Sequence, residues 1–372
     1  MLIVPGHVEK SGMNAVAVIS ILSMNAKPIG GDDMIKRAKH LLIAGSALLA
    51  LSDMSLAASW AHPELLLTPE AVEKNAGKAD WVVVDCRDLK DYAKGHVPGA
   101  ISLGKPCKSA LRDGTARAFK DIKIYEKILG KSGIGNDTHV VFYGEHKVTD
   151  TFKDATVAFW ILEYLGHDKA HVLNGGLDAW LKAGKKLTNE PSMKPEKQFK
   201  AKVVASRIAS NEEMLQIAEG KKKGITVIDS RTKAEHDGLD IRALRGGHVP
   251  NTTVNISHKD TMDQEKDPNT GKDVDNGYLS PDRVEGFFKN FDKNKRAIAY
   301  CQTGTRSTLT YLEMRLMGFK DPANWDESWV VWGSNLRYPV ANEQWINFER
   351  LQSAEASLKK LQDSMPKKEE AK

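Results

Sequence analysis

The chain has 372 residues, of which 41% are hydrophobic and 28% charged, with a net charge of +5. That length predicts two domains, each large enough to bury its own core. So weak a charge excludes nucleic acid as an expected partner, no nucleic-acid-reading motif occurs, and the slight excess of cations favours anionic small substrates. Cys86, Cys107 and Cys301 suit neither a disulfide framework nor a zinc site by number and spacing. An odd count leaves at least one thiol free.

From the N-terminus, Lys36, Arg37, Lys39 and His40 form a basic cluster. Leu41 to Leu51 is almost wholly apolar, and Ser55-Leu56-Ala57 places small residues where a signal peptidase reads them. This order predicts a secretory signal over residues 34–57. The apolar run is about half a membrane span, so no membrane attachment is expected after cleavage. Met24 and Met34 both precede the signal, and Met34 is read as the true start, with residues 1–33 an upstream extension. Residues 1–57 are thus expected to be removed, leaving a periplasmic or secreted chain in an oxidising compartment.

Beyond Ala57 the chain repeats itself at a spacing of about 150 residues. Trp81-Val-Val-Val-Asp85-Cys-Arg87 matches Ile225-Thr-Val-Ile-Asp229-Ser-Arg231. Gly95-His96-Val97-Pro98 matches Gly247-His248-Val249-Pro250. His139 to Tyr143 matches Arg296 to Tyr300, and Val172 to Trp180 matches Asn324 to Trp332. Continuous apolar runs alternating with helical segments predict an α/β fold in each half, a parallel sheet with helices on both faces. The halves are placed at 62–185 and 206–345. Residues 186–205, rich in Lys and Pro without periodicity, read as a linker. Residues 346–372 start with helical spacing at Leu351, Leu358 and Leu361 and end as a frayed tail.

The chemistry lies in the second half. Ala297 to Tyr300 reads as a strand, Ser307 to Met317 as a helix stopped by Gly318, and Cys301-Gln302-Thr303-Gly304-Thr305-Arg306 joins them. A cysteine there faces the free amides of a loop and first helical turn, the positive end of the helix dipole and the Arg306 fork. Such surroundings favour the thiolate and would also stabilise a persulfide anion. Gly304 lets the backbone close around the sulfur. The first half lacks the nucleophile: the counterpart of Cys301 falls close to Gly144, followed by Glu145 and His146. Asp229 and Arg231, like Asp85 and Arg87, are read as internal ion pairs, and His248 as a structural turn residue. Trp325, Arg242 and Arg245 are candidate pocket residues. Neither Cys86 nor Cys107 is given a catalytic role, and whether they pair is left open.

The Cys-x-x-Gly-x-Arg loop, the Asp-x-Arg strand ends, the Gly-His-Val-Pro segments, the Asn174-Gly-Gly-x-x-Ala-Trp180 segment and Trp325-Asp-Glu-Ser-Trp329 together resemble the rhodanese family over nearly the whole mature chain. The resemblance implies two rhodanese-like domains, the N-terminal one inactive and the C-terminal one catalytic. It implies a thiosulfate sulfurtransferase that moves sulfane sulfur from a small sulfur anion to cyanide or a thiol. The carrier is a Cys301 persulfide, with ping-pong kinetics and no metal or organic cofactor. Tandem members specific for thiosulfate tend to carry basic residues just after the cysteine, and those specific for mercaptopyruvate Gly and Ser. Gln302 and Thr303 match neither, and Glu235 stands where tandem members often place a substrate-binding Arg. Three alternatives compete: a 3-mercaptopyruvate sulfurtransferase, a persulfide carrier that delivers sulfur to a periplasmic protein, and a phosphatase of related fold. The last needs a longer loop than the four residues Gln302 to Thr305 between Cys and Arg.

Overall fold

The computed structural model describes residues 59–113, 119–267 and 271–364. The expected signal at 34–57, the extension before it and the frayed end of the tail lie outside these residues.

In the first half the apolar runs become β2 (Trp81–Asp85), β4 (His139–Tyr143) and β5 (Ala170–Leu173), with short β1 (Leu66–Leu67) and β3 (Ile101–Ser102). All pairings are parallel, in the order β1-β5-β4-β2-β3. Val82, Val84, Val140 and Phe142 enter one buried cluster, whereas Val83, Val141 and Tyr143 enter another on the opposite face. Burial on both faces is why these strands read as continuous apolar runs rather than alternating ones. In the second half β6 (Thr226–Asp229), β8 (Val254–Asn255), β11 (Arg296–Tyr300) and β12 (Asp321–Asn324) form a parallel sheet in the order β12-β11-β6-β8. Its residues divide in the same way: Val227, Ile298 and Tyr300 on one side, Ile228, Ala297 and Ala299 on the other.

The repeat holds at the level of single bonds. Asp85 pairs across the sheet with Tyr143, and Asp229 with Tyr300. Arg87 Nη2 donates to Asp85 and to the Gly95 carbonyl, both at 2.6 Å; Arg231 Nη2 donates to Asp229 and to the Gly247 carbonyl, both at 2.7 Å. Each Asp also accepts from its tyrosine hydroxyl, at 2.6 Å in the first half and 3.0 Å in the second. These ion pairs bind the end of one strand to the segment beyond the helix that follows it, so they belong to the scaffold.

Two antiparallel pairs were not foreseen. β7 (Arg245–His248) pairs with β13 (Ala341–Trp345), and β9 (Met262–Lys266) pairs with β10 (Asp273–Tyr278). The β9–β10 hairpin docks on the first half: Lys147 and Lys182 both reach Glu265, and the Tyr278 amide donates to Asn174 Oδ1 at 3.0 Å. The halves also share a core. Helix Phe152–Tyr164 contributes Phe159 and Trp160 to the same cluster as Tyr311, Leu312 and Leu316 of helix Ser307–Leu316. Thr156 and Thr308 hydrogen-bond across this seam at 2.8 Å, and Glu163 accepts from both Tyr311 and Arg315.

The segment at 186–205, read as a linker, is strapped to the first half. The Lys197 amide donates to the Gly130 carbonyl, the Lys202 amide to that of Leu165, and Phe199 is buried. Cys86, just past β2, forms a disulfide with Cys107, the first residue of helix Cys107–Leu111. The pairing left open by the sequence is therefore made, and Cys301 is the free thiol among the described residues. Helix Phe348–Ser364 carries the expected Leu spacing, with Leu351, Leu358 and Leu361 exposed.

Candidate active site

Cys301 follows the last residue of β11, and helix Ser307–Leu316 begins six residues later. Arg306 is the helix N-cap, and no side chain caps the first turn. The Thr308 and Leu309 amides turn back to the Thr305 and Arg306 carbonyls, which leaves the Ser307 amide to face the sulfur. The loop is held open by its neighbours rather than by itself. Gly304 has φ +70°, and a Cβ there would lie 2.5 Å from the Asp326 carbonyl oxygen, so glycine is required twice over. Asn324 Nδ2 donates to the Gly304 carbonyl at 3.0 Å, and Ser307 Oγ donates to Asn324 Oδ1 at 2.6 Å. Ser328, itself at φ +51°, accepts the Cys301 amide at 3.1 Å and donates to the Trp325 carbonyl at 2.7 Å.

The Cys301 side chain is fully covered, and the loop residues at the surface above it are Gln302, Thr303 and Arg306. Burial alone would raise its pKa. The Arg306 guanidinium, the Ser307 hydroxyl 3.5 Å from Sγ, and the amides of Ser307 and Thr303 outweigh burial and hold the thiol below its ordinary value. The thiolate is buried, but donors face it on several sides. That arrangement suits a covalent sulfur intermediate.

Arg306 does not point a free fork at the sulfur. Its Nη1 and Nη2 donate to the two oxygens of Glu235 at 2.7 and 2.6 Å. Glu235 is itself buried and completes a capping box with Thr232. Despite the cost of that burial, Arg306 brings the carboxyl down to about 2, with the Thr232 amide and Arg242 assisting. Glu235 thus stays ionised. Gln302 Nε2 donates to the Arg242 carbonyl at 2.7 Å, tying the loop to the segment before β7.

The first half contributes Arg112, which sequence reasoning passed over. Its Nη1 donates to Thr305 Oγ1 and its Nη2 to the Thr303 carbonyl, each at 3.3 Å, and it pairs with Asp326 at 2.6 Å. Thr303 thus receives a bond on its carbonyl and Thr305 one on its hydroxyl. Of the other candidates, Arg242 is half exposed beside the loop, bonded to Asp240, with Glu235 3.7 Å away. Trp325 and Arg245 do not line the pocket and correct the reading that placed them there. Trp325 is core, its Nε1 donating to Asn211 and Glu327. Arg245 is buried and spent on Glu343 and on the carbonyls of Asn335 and Tyr338. Asp229 and Arg231 are buried scaffold partners, and His248 stacks on His236 with its Nδ1 on the His236 carbonyl.

In the first half, strand pairing puts Gly144 where Cys301 stands. The Leu177 amide reaches the Gly144 carbonyl as the Trp329 amide reaches that of Cys301. The loop beyond folds back on itself, with the Thr151 and Phe152 amides both on the Glu145 carbonyl. That loop holds neither a cradle nor a nucleophile.

Two parallel α/β halves, one of them with a cysteine loop between strand and helix, define a tandem α/β scaffold. The family model for the rhodanese-like domain matches residues 68–183 and 210–335, and the chain belongs to the rhodanese family as a tandem member. A putative thiosulfate sulfurtransferase of Haloferax volcanii is 30% identical, over 68% of this chain and 85% of that one. The sulfur carrier protein TtuD of Thermus thermophilus is 26% identical, over 76% of this chain and 98% of that one. Among solved structures, SseA of Escherichia coli, described with the 3-mercaptopyruvate sulfotransferases, superposes with a TM-score of 0.57 at 17% identity, covering 71% of this chain and 98% of that one. The anaerobic ergothioneine biosynthesis enzyme of Chlorobium limicola gives 0.64 at 18% identity, covering 76% and 71%. The relatives support sulfurtransferase activity; the solved structures share the fold.

Proposed function

We propose that the protein moves sulfane sulfur from thiosulfate to a thiophilic acceptor through a persulfide on Cys301. The observation that carries this is the buried Sγ, held toward the thiolate by Arg306, Ser307 and two loop amides. In the first step the thiolate attacks the outer sulfur of the donor. A new S–S bond forms to Cys301, the donor S–S bond breaks, and sulfite leaves with the electron pair. In the second step a thiolate or cyanide takes the terminal sulfur, and Cys301 leaves as thiolate. The same donors that favour the thiolate serve the persulfide anion and the departing group. Thiosulfate is named because several relatives carry that name. A persulfide carrier that hands sulfur to a protein partner is the second reading, favoured by the complete cover over Cys301 and by the name of the Thermus relative. Export to an oxidising compartment is part of the proposal, supported by the basic-apolar-small leader and by the Cys86–Cys107 disulfide.

Intact-protein mass spectrometry after exposure to thiosulfate tests the reading. The wild type should gain one sulfur atom and lose it to cyanide with release of thiocyanate, and Cys301→Ser should do neither. Fast thiocyanate turnover excludes the pure carrier; a stable persulfide with negligible turnover supports it. Absence of any sulfur adduct with thiosulfate, mercaptopyruvate, polysulfide and glutathione persulfide would sink both.

A further inference from the structure

Each arginine that touches the catalytic loop or its rim already has a carboxylate. Arg306 is held by Glu235, Arg242 by Asp240 and Arg112 by Asp326. The Arg306 pair is bidentate, so one N–H at each end of its fork is engaged and its charge is matched by the Glu235 carboxylate. When Cys301 is a thiolate, the trio Cys301, Arg306 and Glu235 carries one net negative charge. A dianion arriving at this mouth meets a site of its own sign, and among the described residues no uncommitted guanidinium waits to take its sulfonate oxygens. Because Glu235 is buried, water screens it poorly.

We propose that Glu235 is the residue that sets donor specificity: by occupying the Arg306 fork it weakens binding of doubly charged donors and turns the site toward sulfane donors that bring one negative charge or none. The inference rests on the Cys301 persulfide reading and refines the donor within it. Thiosulfate is turned over, but with a high KM. A monoanion of the same shape is preferred, and methanethiosulfonate is such a molecule. The step is the same for both. Cys301 attacks the outer sulfur, the new S–S bond forms as the old one breaks, and the electron pair leaves on sulfite or on methanesulfinate. Glu235 acts through Arg306 and touches no reacting atom. It is therefore a positioning residue.

The experiment compares initial rates with thiosulfate and with methanethiosulfonate, cyanide as acceptor, for the wild type, Glu235→Gln and Glu235→Asp. Glu235→Gln should lower the KM for thiosulfate about tenfold with a smaller change in kcat, and should improve methanethiosulfonate by at most about threefold, because the lost repulsion scales with donor charge. Glu235→Asp keeps the charge and should keep the high KM. An equal gain with both donors, or an unchanged thiosulfate KM, overturns the inference. If Glu235→Gln fails to fold, the wild type still decides the matter. Rising ionic strength screens repulsion and should lower the thiosulfate KM, whereas a site with a free cation would show a rise and refute the inference. Failure of the persulfide reading has a different signature: neither donor leaves sulfur on the wild type, at any salt concentration.

Discussion

Arg112 Nη1 stands 3.3 Å from Thr305 Oγ1, so a residue of the first half holds the Cys301 loop of the second. The same guanidinium reaches the Thr303 carbonyl and pairs with Asp326, on the segment that shapes Gly304. Its side chain is fully buried. Arg112→Ala therefore removes a buried charge and leaves a carboxylate behind, a change that costs about 3–5 kcal/mol. Urea unfolding should show that loss. The persulfide-forming rate should fall even where the variant is folded. Adding Asp326→Asn should recover part of the stability but not the rate, since the loop contacts stay missing.

The thiol of Cys301 gives a pH prediction with a definite sign. Its pKa is lowered against the pull of burial, so the reactive thiolate appears as pH rises and is present at lower pH than in a free cysteine. The rate of persulfide formation should rise to a plateau with a midpoint below that of a free thiol. Ser307 shares one hydroxyl proton between Cys301 Sγ and Asn324 Oδ1. Ser307→Ala should move the midpoint upward and slow the step at neutral pH by about threefold, given the modest net worth of such a bond. A midpoint that stays in place would remove Ser307 from the account.

Glu313 lies in the middle of helix Ser307–Leu316, fully buried. Thr261 donates to one of its oxygens, and the other has no partner. Burial pushes its carboxyl up to about 8. The folded protein therefore keeps the proton where the unfolded chain has lost it, and stability falls as pH rises from the ordinary carboxyl value of 4.5 toward 8. Glu313→Gln keeps the shape without the titration. It should match the wild type in melting temperature near the acid end of that window and exceed it at the alkaline end. Parallel profiles for the two proteins would contradict this.

The Cys86–Cys107 disulfide closes a loop with a sequence separation of 21, and both sulfurs are buried. Constraint of the unfolded chain by such a loop is worth about 3 kcal/mol. Replacing both cysteines by alanine should lower urea stability by about that amount and leave sulfur loading of Cys301 intact. Loss of loading in a folded double variant would give the pair a role beyond stability.

How far the sequence reached depended on whether chemistry was contiguous in the chain. Cys301 to Arg306, with strand before and helix after, could be read because all the parts are adjacent. The parallel sheets were legible because burial on both faces writes unbroken apolar runs at β2, β4 and β11. Arg112 was not legible, since it meets Thr305 across 193 positions. Nor was the Glu235 carboxylate as a partner of Arg306, 71 positions away. Trp325 and Arg245 misled for the opposite reason: they lie near the loop in sequence or motif, but core packing and carbonyl acceptors claim them first. The β9–β10 hairpin has polar, weakly alternating residues, and its stability comes from docking on the first half rather than from its own pattern.

Gly144 closes the first half to a side chain at the position that Cys301 takes in the second. A Cβ at that position would fall 2.2 Å from the Thr151 carbonyl oxygen, and its own carbonyl oxygen lies 2.3 Å from where a Cβ on Gly176 would stand. A cysteine at position 144 would therefore collide with backbone before it could react. The loop from Glu145 to Thr151 closes over this position with its own main chain. The first half instead buttresses the second through Arg112, and a nucleophile at 144 would need the loop from Glu145 to Thr151 rebuilt.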